Sequence, residues 1–107
     1  MVKIVIENLG GKEVVSNDRP LSALAIILGN SIDWMHACGG KGRCTTCKMI
    51  VMKGSQNLEE MTPSELAYLR QGALSKQERL ACQSLVHGDI VIRVPEEGKL
   101  PHLTYDL

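Results

Sequence analysis

Cys38-Gly39-Gly40-Lys41-Gly42-Arg43-Cys44-Thr45-Thr46-Cys47 places three of the chain's four cysteines and three glycines in ten consecutive residues. The fourth cysteine, Cys82, stands alone much further along. Any fold in which the four thiols act together must carry a late segment back to this early loop. Four thiolates can hold an iron–sulfur cluster, a zinc ion or two disulfides.

At 107 residues the chain is expected to form one domain over 1–107, with 95–107 as a C-terminal tail. Twelve basic and twelve acidic side chains cancel, so bulk charge points neither to nucleic acid nor to a membrane surface. There is no Phe, and Trp34, Tyr68 and Tyr105 are the only aromatic residues, so the core must be aliphatic. No stretch has the roughly 20 apolar residues of a membrane span. The start, Met-Val-Lys-Ile-Val-Ile-Glu, alternates like a strand and resembles neither a signal nor a transit peptide. A cytoplasmic, reducing location is therefore expected, where clustered cysteines bind metal or do redox work more often than they form disulfides.

The pattern along the chain is mixed. Residues 2–7 read as a strand with Val2, Ile4 and Ile6 on one face, and Glu13–Ser16 returns after turn chemistry at residues 8–12. Leu21–Leu28 reads as a helix introduced by Pro20 and ended by Gly29-Asn30, with Leu21, Leu24, Ala25 and Leu28 sharing a face widened by Ile26 and Ile27. Lys48–Lys53 reads as an interior strand covered on both faces, ended by Gly54-Ser55. Thr62-Pro63-Ser64-Glu65 is a capping box that starts a helix running through Leu66, Leu69 and Arg70 to about Gly72. A less regular stretch carries Leu74, Leu80 and Cys82. Leu85-Val86 could form a short strand, and Asp89–Val94 a longer one ended by Pro95. The expected class is α+β, a small mixed sheet wrapped on one main helix.

The cysteine spacing is C-x5-C-x2-C, then 34 residues to Cys82. Zinc ribbons supply two close pairs of ligands, and only Cys44 and Cys47 form one here. A thioredoxin-like pair wants its first cysteine at a helix start, whereas Cys44 to Cys47 runs into an apparent strand. A 2Fe–2S cluster asks for four thiolates and counts to roughly −2 oxidised and −3 reduced. Such charge is stabilised by N–H groups aimed at sulfur, which favours residues that tolerate positive φ: Gly39, Gly40 and Gly42. Small Ala37, Thr45 and Thr46 let the backbone approach, and the two hydroxyls offer further donors. A flexible loop or a phosphate cradle is the bland reading of Gly-Gly-Lys-Gly, and it leaves the cysteines without a part.

The whole chain resembles a 2Fe–2S ferredoxin of the β-grasp (ubiquitin-like) fold, through the hairpin, the helix, the ACGGKGRCTTC loop, the capped helix, RLACQ and the final GDIVIRVP strand. Its x5 spacing is similar to the adrenodoxin-like and bacterial branch, and ACGGKGRC is also similar to ferredoxin domains fused to larger redox proteins. The resemblance implies one cluster held by Cys38, Cys44, Cys47 and Cys82, with the first two on the iron nearer the surface. It implies a one-electron carrier, not an enzyme, that meets a ferredoxin reductase and an electron-accepting enzyme transiently, and a monomer is expected. A structural zinc domain and a metal-free β-grasp interaction module are the alternatives.

Adrenodoxin-like carriers often dock through an acidic helix. Here that region offers Glu59, Glu60 and Glu65, and Glu59 and Glu60 read as a solvated approach to the helix. Lys41 and Arg43 put positive charge in the cysteine loop itself, making it the first place to look for what sets potential and partner. Trp34 reads as packing against the cluster, with a partner contact as the alternative. His36 reads as a surface or structural histidine, with a tuning role as the alternative. No Ser/His/Asp or paired-carboxylate arrangement supports hydrolytic catalysis.

Overall fold

The structure is a computed structural model and describes residues 2–16, 21–32, 34, 47–95 and 100. The first hairpin follows from alternation. β1 (Val2–Ile6) pairs antiparallel with β2 (Lys12–Ser16), burying Ile4 and Ile6 on one face with Val14 across from Ile4. β5 (Ile90–Arg93) lies parallel to β1, Ile4 opposite Ile90 and Ile6 opposite Ile92. On the far side of β5 run β3 (Lys48–Lys53) and then β4 (Glu78–Leu80), both antiparallel to their neighbours. The order β2-β1-β5-β3-β4 therefore puts the first and last long strands at the centre of one mixed sheet.

Polar groups extend this ladder beyond the strands. Asn8, a turn residue by sequence, is 3% exposed and bonds both ways to Val94. Its Nδ2 donates to the Val94 carbonyl at 2.9 Å and its Oδ1 accepts from the Val94 N–H at 2.8 Å. The side chain thus replaces a missing strand partner where two buried main-chain groups need one.

The helix α1 (Ala23–Gly29) covers the buried face of the sheet. It begins two residues later than the pattern predicts, because Ser22 is the N-cap and its hydroxyl accepts from Ala25 N at 3.1 Å. Leu21 is held extended instead: its carbonyl accepts from Val86 N at 3.0 Å, and Ser22 bridges Leu85. Pro20 lies outside the described residues. The buried stripe is Ala23, Leu24, Ile26 and Ile27, whereas Ala25 and Leu28 face outward. The expected face is corrected because two early N–H groups are tied down, Ala23 N to Ser84 O and Leu24 N to Ala81 O. Those bonds set the rotation of the helix and satisfy donors that a helix start leaves open. Each buried Ile or Leu contributes about 1.5–3 kcal/mol.

β3 has the expected bounds and an interior place in the sheet, but it is not covered on both faces. Met49 is fully buried while Met52 is 45% exposed, so one face meets the core and the other opens to solvent. Antiparallel neighbours permit this. Gly54 ends the strand at φ +84°, where an added Cβ would lie 2.4 Å from the Asp89 carbonyl oxygen.

The helix α2 (Pro63–Arg70) starts on the predicted capping box, with both reciprocal bonds formed between Thr62 and Glu65. β4 falls in the stretch read as irregular. Three residues are too short for a periodic signal, and their strand form comes from pairing with β3, assisted by the Lys48–Glu78 ion pair at 3.5 Å. Leu85 and Val86 make isolated bridges to Ser22 and Leu58, respectively, in place of a strand.

Candidate metal centre

The pairing of β3 with β4 brings the site together. Lys48 faces Leu80 at the end of the ladder, and the register continues one step further, with Ala81 N donating to Cys47 O at 3.2 Å. Cys47 and Cys82 are thereby placed side by side, Sγ to Sγ at 3.3 Å. A disulfide would need about 2.05 Å. Two thiolates on one tetrahedral metal at about 2.3 Å would sit roughly 3.8 Å apart, so only a small outward shift separates this pair from a chelating one. Cys47 is fully buried and Cys82 half-buried.

Cys47 is fixed through its main chain and Cys82 by the loop that carries it. Cys47 O also accepts from the indole Nε1 of Trp34 at 3.0 Å, and Trp34 is 5% exposed. Trp34 is therefore a core residue, tied by a hydrogen bond to one of the cysteines. On the other side, Gln83 N and Ser84 Oγ both donate to Leu80 O, at 3.0 and 2.8 Å, closing a tight loop over residues 80–84. The side-chain amide of Gln83 lies with Nε2 3.7 Å from Cys82 Sγ. An amide donor and a half-buried thiol at this range suit an anionic sulfur.

Glu65 anchors the same loop from behind. It is fully buried, which removes it from the acidic docking region expected of Glu59, Glu60 and Glu65. Its Oε2 accepts from Arg79 Nε at 2.7 Å, Leu80 N at 2.9 Å and Ser84 Oγ at 3.4 Å. Its Oε1 accepts from Thr62 N at 3.0 Å and Arg79 Nη2 at 3.1 Å. Burial by itself raises the carboxyl pKa, but the bonds from Arg79, Thr62 and Leu80 and the guanidinium charge outweigh it and hold Glu65 below its ordinary value. Glu59 remains exposed and meets the His87 imidazole, itself exposed.

Of the predicted site residues, the structure brings Cys47 and Cys82 together. Cys38, Gly39, Gly40, Lys41, Gly42, Arg43, Cys44, Thr45 and Thr46, with His36 and Ala37, lie outside the described residues. Among the described residues no group of three or more His, Cys, Asp or Glu side chains is placed to hold a metal ion. Sequence reasoning missed Gln83 and the burial of Glu65. The signal for Gln83 was its position directly after Cys82. Glu65 carried only its capping-box signal, which says nothing of Arg79.

A mixed sheet gripping one helix, with two thiols converging where β3 and β4 end, defines a β-grasp domain with a paired-cysteine site. Residues 6–87 match the family model for the 2Fe-2S iron-sulfur cluster binding domain. The chain is 33% identical over 99 residues to 2Fe-2S ferredoxin-5 of Aquifex aeolicus, an alignment that spans 89% of this chain and 100% of that one. It is 38% identical over 74 residues to one component of the Na(+)-translocating NADH-quinone reductase of Pseudomonas aeruginosa, covering 69% of this chain but 17% of that component. The crystal structure of an ISC-like 2Fe-2S ferredoxin from Pseudomonas putida superposes with a TM-score of 0.71 at 28% identity, covering 94% of this chain and 97% of that one. The chain belongs to the 2Fe-2S ferredoxin family. It is an electron-transfer protein that carries one 2Fe-2S cluster, and it is a carrier rather than a catalyst. The zinc and metal-free readings of its cysteines do not fit this family. Among the described residues no helix is long and apolar enough to cross a membrane.

Proposed function

We propose that Cys38, Cys44, Cys47 and Cys82 are the four cluster ligands, and that residues 1–107 act as one monomeric domain in the cytoplasm. In this reading the protein accepts an electron from a ferredoxin reductase and delivers it to an acceptor oxidoreductase. The observation that carries the ligand set is the approach of Cys47 and Cys82, 35 residues apart in sequence, to 3.3 Å between sulfurs. The C-x5-C-x2-C spacing supports the other two ligands. When bound, the cluster supplies a one-electron couple.

The chain's own residues do the holding. Trp34 and Ala81 fix Cys47 through its carbonyl. The Leu80–Ser84 loop, braced by Glu65, presents Cys82. Gly39, Gly40, Gly42, Arg43, Thr45 and Thr46 would supply close backbone approach, N–H donors and positive charge. Likeness to a segment of a reductase component supports a reductase as the electron source. Contacts with partners would be small and short-lived, below about 1,200 Å² of buried surface.

Iron and acid-labile sulfide analysis with a visible spectrum, on anaerobically purified protein, tests the reading. About two irons and two sulfides per chain are expected. Cys82→Ser should lose most of both, before and after anaerobic reconstitution. Unchanged iron, sulfide and absorbance in that variant would remove Cys82 from the ligand set.

A further inference from the structure

We infer that the side-chain amide of Gln83 is a positioning residue for the redox centre, donating to the Cys82 sulfur and raising the reduction potential. The inference rests on the proposed role of Cys82 as a ligand. Three observations carry it. First, Gln83 Nε2 stands 3.7 Å from Cys82 Sγ, a hydrogen-bonding distance for the larger sulfur atom. Second, neighbouring main-chain donors are directed elsewhere: Gln83 N bonds Leu80 O at 3.0 Å and Ala81 N bonds Cys47 O at 3.2 Å. The side-chain amide therefore supplies a donor that these groups do not. Third, the backbone on which Gln83 is mounted has little freedom. Leu80 N is tied to Glu65, Ala81 O accepts from Leu24 N, and Ser84 O accepts from Ala23 N.

The amide is also only half-buried, so water competes for it, and its effect is a tuning rather than an all-or-none one. The direction follows from charge. A donor to sulfur stabilises negative charge there, and one-electron reduction adds negative charge. Gln83 therefore favours the reduced state. The amide is neutral, so this contribution does not depend on a titration near the ligands.

The test uses the holoprotein and two substitutions of similar size. Gln83→Met removes the donor, and Gln83→Glu replaces it with an anion. Midpoint potentials are measured anaerobically with iron and sulfide content in parallel. Gln83→Met is expected to lower the reduced-to-oxidised ratio at a given potential by about 3- to 10-fold, or roughly 30–59 mV at 59 mV per decade for one electron. Gln83→Glu should lower it further, and the shift should come with a full complement of iron and sulfide. Two cluster-replete variants with the wild-type potential would overturn the inference while leaving Cys82 a ligand. Loss of the cluster from both, even after reconstitution, would also overturn it, because Gln83 would then be structural. Failure of the ligand assignment itself reads out separately, in a Cys82→Ser protein that keeps its iron, sulfide and colour.

Discussion

Replacing Glu65 by Gln should be one of the most damaging isosteric changes in the molecule. The carboxylate accepts five bonds from four residues, and its own side chain is fully buried. An amide keeps the shape but turns one oxygen into a donor. If Nε2 takes the place of Oε2, it faces Arg79 Nε, the Leu80 N–H and the Ser84 hydroxyl. Arg79, only 12% exposed, would then hold a charge without its counter-ion. Breaking one side of a buried ion pair costs about 3–5 kcal/mol, and the stranded Leu80 donor is part of that cost rather than an addition to it. At about 4 °C per kcal/mol for a domain of this size, the thermal midpoint should fall by roughly 12 °C or more. The assay is anaerobic unfolding of the holoprotein, followed by far-ultraviolet circular dichroism and visible absorbance. A double-mutant cycle with Arg79→Met should show strong coupling, the double variant being less impaired than the sum of the two. The pH dependence has a definite sign. A carboxyl held below its ordinary pKa of 4.5 by the fold binds fewer protons folded than unfolded. Its stabilisation is therefore complete above that ordinary value and is lost as pH falls through the lowered folded value. The gap between wild type and Glu65→Gln should close over that acid range. A loss below about 1 kcal/mol at neutral pH, or a gap that stays constant into acid, would refute the assignment of Glu65 as the anionic hub of this loop.

Two further outcomes follow from single contacts. Gly54→Ala must place a methyl 2.4 Å from the Asp89 carbonyl oxygen and 3.0 Å from Ile90 Cα at φ +84°. Backbone strain and this clash together should cost about 2 kcal/mol or more, read as a lower thermal midpoint, and an unchanged midpoint would show that the end of β3 yields easily. Trp34→Phe removes the indole donor to Cys47 O while Ala81 N remains. Losing one such bond costs about 1 kcal/mol, so cluster release to a chelator should speed up about fivefold, and equal release rates would make that bond dispensable.

The elements most legible in the sequence are those whose information is local. Alternation in residues 2–7 marks β1, and the Thr62–Glu65 capping box marks the start of α2, because both signals depend on spacing within a few residues. β4 was not legible, since Glu78–Leu80 becomes a strand through β3, some 30 residues earlier in sequence. The phase of α1 escapes its own periodicity for the same reason: Ser84 and Ala81 decide which N–H groups are tied and hence which side faces the sheet. The capping-box glutamate is N3 of its helix, as its spacing predicts, but its second partner, Arg79, lies across the loop.

By itself the sequence determined the chemistry available: four cysteines, glycines among three of them, and a spacing poor for zinc and suited to a 2Fe–2S cluster. That follows because ligand type and loop freedom are properties of residues and their near neighbours. Tertiary structure alone decided how Cys82 is carried back to Cys47, which side chain reaches its sulfur, and that Glu65 is a buried brace rather than a docking charge. These depend on the register of β3 against β4, a pairing of distant segments chosen by burial and hydrogen bonding over the whole sheet.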